Sequence, residues 1–285
     1  MTIAKTYTKN WLQVNRPQPM YDKNINKFYN NIFKSINPIF IEENLFDNFK
    51  KAFRKWLDNH QMSSFRGLDT FARQDICIGV THYIDNLYMK LGNRLRVFEN
   101  DYKYHWRLNN DIEYATLKNL KKGEELLISM PFPFYGDCHP QMKNILDTCY
   151  SKEIPVHIDG AWISCSKNIN FDFSHPAIES FSSSLSKGGL GANRIGCRFT
   201  KHHCSDSITL MNDFNMVPNS LVYIGLEFIN SFGSEYFWIK YGPAYEKVCS
   251  DFDLYPTNSI HLALTRNGEP RGVRPLLRYL ADNHS

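Results

Sequence analysis

The sequence predicts an α/β protein: a three-layer sandwich with a mostly parallel central sheet, helices on both faces, and a small C-terminal α/β domain. Three observations carry this. Short apolar runs rich in β-branched residues, at 75–80, 125–130, 154–158, 178–185 and 195–200, alternate with amphipathic stretches. Between residues 139 and 158, strand-forming and helix-forming segments follow one another at the length of a right-handed parallel crossover. Residues with chemistry to offer, Asp159 and Lys187, stand where the runs end, and in such sheets ligands bind beyond the carboxyl ends of the strands.

Taken in order, residues 1–40 are polar, with proline and asparagine among aromatics, and read as an irregular arm. Residues 41–60 place apolar side chains at 45, 46, 49, 53, 56 and 57, a helical spacing. A strand at 75–80 leads through Gly79-Val80-Thr81 into a helix over 81–91. That is a phosphate-binding arrangement, because free N–H groups and the positive helix end meet there. Residues 94–99 read as a strand, 116–122 as a short helix or turn, 125–130 as a strand and 139–151 as a helix. The three runs 154–158, 178–185 and 195–200 complete the sheet. Beyond them come a mixed polar stretch (201–215), a buried helix (217–232), helix again around a Gly242-Pro243 break (233–252) and a strand (259–265). The division expected is 1–60 arm and helix, 61–205 large domain, 206–285 small domain.

Composition narrows the function. Lys and Arg number 33 against 29 Asp and Glu, a net charge of +4 with no basic cluster interleaved with aromatics, which argues against nucleic acid. The seven cysteines are odd in number and form no CxxC pair, so they read as reduced thiols of a cytoplasmic protein, without a metal site. Residues 1–19 are too polar for a secretory signal, and no apolar run approaches a membrane span.

The chemistry concentrates in residues 154–198. A partly desolvated lysine at a strand end, such as Lys187, can lose its proton and form a Schiff base with a carbonyl. A carboxylate there, such as Asp159, can hold a protonated pyridine nitrogen. Ser184, Ser186, the glycines at 188, 189 and 191, and Arg194 suit a phosphate. Aldehyde, pyridinium and phosphate together describe pyridoxal 5′-phosphate (PLP). His157 lies two residues before Asp159 on the same strand face and reads either as its orienting partner or as a packed core histidine.

The run Asp159-Gly160-Ala161-Trp162, then Ser184-Leu185-Ser186-Lys187, then a glycine turn and Arg194-Ile195-Gly196, resembles the fold-type I PLP-dependent enzymes, the class I/II aminotransferases in particular. The chain is shorter than is usual there, and Arg194 follows Lys187 by seven residues, one fewer than usual. The resemblance implies Lys187 and Asp159 as catalytic residues. It implies phosphate contacts from Gly79, Val80, Thr81, Ser184, Ser186 and Arg194, with Ala161 and Trp162 beside the ring. Tyr102, or else Tyr104, would stack on the ring. The loop asparagine common in the family is absent near Gly136; Tyr135 is the candidate substitute, and Trp162 stands where a tyrosine often donates. Arg266 and Arg274 are candidates for a substrate carboxylate, or else surface arginines. The implied function is an aminotransferase acting on an amino acid or amine with an oxo-acid acceptor, as a homodimer. The alternatives are another PLP-dependent reaction (decarboxylation, elimination or oxidation), a PLP-binding protein with little activity, or a non-PLP interaction protein.

Overall fold

The structure, a computed structural model, describes residues 22–35, 43–109 and 111–283. Parts of the expected arm, 1–21 and 36–40, lie outside the described residues. The remainder corrects the expectation: Lys23–Ser35 is a helix, α1. Ile25 and Ile32 are buried, with Phe28 and Tyr29 packed beside them. This spacing forms one apolar stripe, which the asparagines between them obscure in the sequence.

The second helix, α2 (Leu45–Asp58), buries Leu45, Phe49, Phe53, Trp56 and Leu57, five of the six positions whose spacing indicated it. Then follow β1 (Ser64–Arg66), β2 (Arg73–Cys77), α3 (Gly79–Leu91), β3 (Leu95–Arg96), a single helical turn α4 (His105–Leu108), β4 (Glu125–Ser129), α5 (Met142–Ser151), β5 (Val156–Asp159), β6 (Asn170–Asp172), β7 (Ile178–Ser184) and β8 (Gly196–Thr200). The C-terminal part contains α6 (Ser207–Asp213), α7 (Asn219–Ser231), α8 (Tyr236–Asp251), β9 (Tyr255–Pro256), β10 (Leu262–Leu264), β11 (Pro270–Gly272) and α9 (Arg274–Asn283).

Six strands form the main sheet in the order β2-β8-β7-β5-β4-β3. β3, β4, β5 and β7 are parallel neighbours, while β8 runs antiparallel to both β7 and β2. The antiparallel strand matters for the site. It brings the residues that precede β8, Arg194 among them, to the edge where the parallel strands end.

The two faces are covered by different helices because side chains alternate along each strand. Leu127 packs with Val80, Ile84 and Leu87 of α3 and with Ile208 of α6. Its neighbours Leu126 and Ile128 pack on the opposite side with the apolar faces of α2, α5, α7 and α8. β1 pairs with β6 in a small parallel sheet, and β10 stands between β9 and β11 in an antiparallel one.

The break expected at Gly242-Pro243 does not occur: α8 continues through Pro243. An interior proline costs a helix about 3 kcal/mol. Here the helix buries Phe237, Trp238, Tyr241, Tyr245, Val248 and Cys249, and that packing outweighs the cost. Among the described residues no helix is long and apolar enough to cross a membrane.

Candidate active site

Asp159 closes β5 and is 4 % exposed. The Ala161 N–H donates to its Oδ1 at 2.8 Å. Burial pushes its carboxyl up to about 7, and the nearby Asp101 adds to the rise; Ala161, Lys187 and Ser129 act in the opposite direction. A buried carboxyl raised this far has an unmet demand for a cation or a proton donor.

Beyond β7 the chain forms a wide helical turn, Ser186–Leu190, in which the Leu190 N–H reaches Leu185 O and the Gly191 N–H reaches Ser186 O, both at 3.0 Å. These are i to i−5 bonds, a form concentrated at functional sites. The turn needs glycine at 189. Its φ is +138°, and a Cβ there would stand 2.5 Å from Ile25 Cδ1 and 3.0 Å from Phe228. The turn presents Lys187 among the charges of Arg194, Arg274 and Asp159 and the Cys165 thiol. Burial of the amine, reinforced by the two arginines, lowers its pKa to about 8 against the opposing pull of Cys165 and Asp159. Such a lysine has a usable neutral fraction near neutrality.

At the other end of the site, α3 begins at Gly79 with φ +71°. The Arg194 guanidinium lies against this glycine, and its Nη2 donates to Thr81 Oγ1 at 2.7 Å. The shorter glycine turn therefore still delivers Arg194 to the start of α3. Val80 is buried, with its side chain turned into the core. Ser184 is buried at the end of β7. Ser186 Oγ is buried and has no hydrogen-bond partner among the described residues, as has Ser164 Oγ. A Cβ on Gly188 would meet Ser164 Oγ at 3.1 Å, so the turns carrying these serines are in contact.

The remaining candidates divide. Tyr102 is 39 % exposed and stacks on Tyr104, centroids 5.8 Å apart. The Tyr104 hydroxyl donates to Asp85 at 2.8 Å. Ala161 contributes its main-chain N–H to Asp159, and the half-buried Trp162 meets the His261 ring edge-on at 6.4 Å. Arg274, at the start of α9, is close enough for its charge to lower the pKa of both Lys187 and His261. Arg266 is placed elsewhere: it is 54 % exposed, paired with Asp253 and stacked over Tyr255 at 4.4 Å. Tyr135 lines a shallow groove with Asp137, Lys167, Glu246 and Asn258. His157 is a packed histidine: it bonds Ser180 Oγ at 2.7 Å and Glu125 Oε2 at 2.6 Å. Sequence reasoning missed Asp101, Ser129, Cys165 and His261, which enter the site from other elements without a local pattern.

The chain matches no family model and no curated protein in sequence. Solved structures do match it. Tyrosine aminotransferase from Leishmania infantum aligns over 99 % of this chain and 96 % of its own, with TM-score 0.62 and 11 % identity. Alanine aminotransferase from Pyrococcus furiosus aligns over 88 % and 75 %, with TM-score 0.64 and 12 % identity. Cystalysin from Treponema denticola, a structure containing pyridoxal 5′-phosphate, aligns over 92 % and 77 %, with TM-score 0.64 and 11 % identity. At such identities the likeness is one of fold: the chain has the fold of the fold-type I, aminotransferase-like PLP-dependent enzymes.

Proposed function

We propose that this chain is a PLP-dependent enzyme, an aminotransferase that takes an amino acid or amine and an oxo-acid acceptor. The observation that carries the reading is Lys187, an amine of pKa about 8 standing between a buried carboxylate and an arginine at a helix start.

The residues fit the cofactor. The buried Ser186 Oγ, without a hydrogen-bond partner among the described residues, is a ready donor, and Gly79, having no Cβ, lets the Arg194 guanidinium lie directly against the start of α3. Ser184, Ser186, Thr81, Arg194 and the main chain at Gly79 and Val80 would hold the phosphate. Asp159 would hold the ring nitrogen, Tyr102 would cover one ring face, and Ala161 and Trp162 would lie beside it. When bound, PLP supplies an electron sink for bonds at the substrate Cα. Lys187 would hold the cofactor's aldehyde carbon and, as a neutral amine, would move the substrate's Cα proton. Arg274 serves a substrate carboxylate. The large domain would span 61–205 and the small one 206–285, in a cytoplasmic homodimer.

The test is a visible absorption spectrum of the purified chain with added PLP, followed by borohydride. The expected result is a band that reduction fixes covalently on the wild type and not on Lys187→Ala. No band at saturating PLP defeats the reading. A product assay with an oxo-acid acceptor then separates transamination from decarboxylation or elimination.

A further inference from the structure

Asp159 has a second carboxylate beneath it. Ser129, the last residue of β4, is its register partner on the neighbouring parallel strand, so both side chains leave the sheet on one face. Asp101, from the loop after β3, closes on the same serine. The Ser129 N–H donates to Asp101 Oδ2 at 3.0 Å, and the Ser129 hydroxyl donates to Asp101 Oδ1. Ser129 also stands beside Asp159 across the strand pair and lowers its pKa. Asp101 and Asp159 are 3 % and 4 % exposed.

A hydroxyl has one proton to give. Main-chain N–H groups of Tyr102 and Ser129 serve Asp101 and that of Ala161 serves Asp159, but with both carboxylates ionised the single hydroxyl proton of Ser129 serves only one, and two negative charges stand on either side of it away from water. A single proton on the pair removes the conflict: the protonated carboxyl donates to Ser129 Oγ, which donates to the other carboxylate. Like charges sharing one buried site titrate as a pair in this way. Burial holds Asp101 up at about 6, and Asp159 stands at about 7 through burial and Asp101. The other groups facing them are Lys187 from the turn after β7, and Tyr83 and Tyr88 from α3. Burial raises both phenols, so they stay neutral at neutral pH.

We propose that Asp101 is a positioning residue of the cofactor site: with Asp159 and the Ser129 bridge it stores one proton, which a pyridine nitrogen seated on Asp159 takes up. The inference rests on the PLP reading above. In the transfer the carboxyl O–H bond breaks and its electron pair stays on oxygen. The ring-nitrogen lone pair forms the N–H bond, and no solvent proton is consumed. The pair passes from one negative charge to two, and the ring cation offsets the second.

The experiment is carboxyl-carbon NMR of the full chain labelled at aspartate, titrated with pH without and with PLP. Without PLP, the Asp101 and Asp159 signals are each expected to show two steps, because each reports the other's ionisation. Added PLP should move both signals to the ionised position at neutral pH. In Asp101→Asn the Asp159 signal should titrate in one step, lower by about one pH unit or more. Two independent single steps in the wild type overturn the proposal without any variant. An unchanged Asp159 step in a folded Asp101→Asn chain overturns it too. Coupled steps with no PLP absorption band overturn the cofactor reading and the transfer to a ring nitrogen, and leave only the shared proton.

Discussion

The Arg194 guanidinium lies across Gly79. A Cβ at residue 79 would stand 2.9 Å from Arg194 Nε and 3.0 Å from Nη2, while Nη2 donates to Thr81 Oγ1 at 2.7 Å. A cation, a hydroxyl and the open N-terminus of the 13-residue helix α3 thus meet at one point. This convergence is the structural basis for placing a phosphate there.

Gly79→Ala should strike at that point twice. The methyl is strained at positive φ, by roughly 1 kcal/mol, and it pushes the guanidinium aside. PLP affinity should fall more than tenfold in Gly79→Ala and in Arg194→Ala. Pyridoxal, which has no phosphate, should bind wild type and variants alike. Absorbance titration with both aldehydes checks this; an equal loss for pyridoxal would remove the phosphate from this end of the site.

Arg266 and Arg274 offer a paired contrast. Arg266 is exposed and engaged by the exposed Asp253, and exposed pairs of this kind contribute little. Arg266→Ala should leave thermal stability and substrate KM unchanged. Arg274 is near enough to Lys187 to lower its pKa. Arg274→Ala should raise KM for a carboxylate-bearing substrate about tenfold or more while PLP affinity is kept. Steady-state kinetics on both variants decide it, and a KM effect in Arg266→Ala would reverse the assignment.

The N-terminal helix is fastened by one buried carboxylate. Asp22 accepts from the Ile25 N–H at 2.8 Å, Tyr236 OH at 2.8 Å, Lys240 Nζ at 2.7 Å and Tyr241 OH at 3.2 Å. Burial alone would raise its pKa, but the bonds from Lys240, Ile25 and Tyr236 hold it below the usual 3.8. Its contribution is therefore present above that value and lost as pH falls through the folded-state value. Asp22→Ala removes a helix cap and strands three donors, so about 2–4 kcal/mol of stability should be lost. Urea denaturation measures the loss, and amide exchange over Lys23–Ser35 should rise first.

The strands β2, β4, β5, β7 and β8 were legible in the sequence because each lies in a short apolar run with β-branched residues, and 154–158 and 178–185 end beside Asp159 and Lys187, whereas the short β1, β6, β9 and β11 carry no such run. Gly79, Thr81 and Arg194 were legible as motif, and their convergence follows once β8 reverses direction. α1 was not legible, since Asn24, Asn26, Asn30 and Asn31 dilute its apolar stripe. His157 shares a strand face with Asp159, yet Ser180 on β7 and Glu125 on β4 take both its nitrogens. Asp101 and Ser129 lie 28 residues apart and meet only when β3 is set beside β4, so no local pattern could join them.

The two central groups should leave opposite marks on stability against pH in the cofactor-free chain. Asp159 titrates at about 7 in the folded state against an ordinary 3.8. Between these values the folded state holds a proton that the unfolded chain releases, so this contribution falls as pH rises. Lys187 titrates at about 8 against 10.5. Between those values the unfolded chain holds the extra proton, and this contribution rises with pH. The advantage of Asp159→Asn over wild type should be absent near pH 4 and full above 7. That of Lys187→Met should be full below 8 and fade toward 10.5. Other buried groups titrate as well, so the comparison is the difference in Tm between each variant and wild type at each pH, in which the effects of groups not coupled to Asp159 or Lys187 cancel, while Asp101, coupled to Asp159, counts with it. Thermal denaturation across pH 4 to 10.5 supplies these differences. Parallel trends for the two variants would mean that Asp159 and Lys187 are not the buried, oppositely perturbed pair on which the site depends.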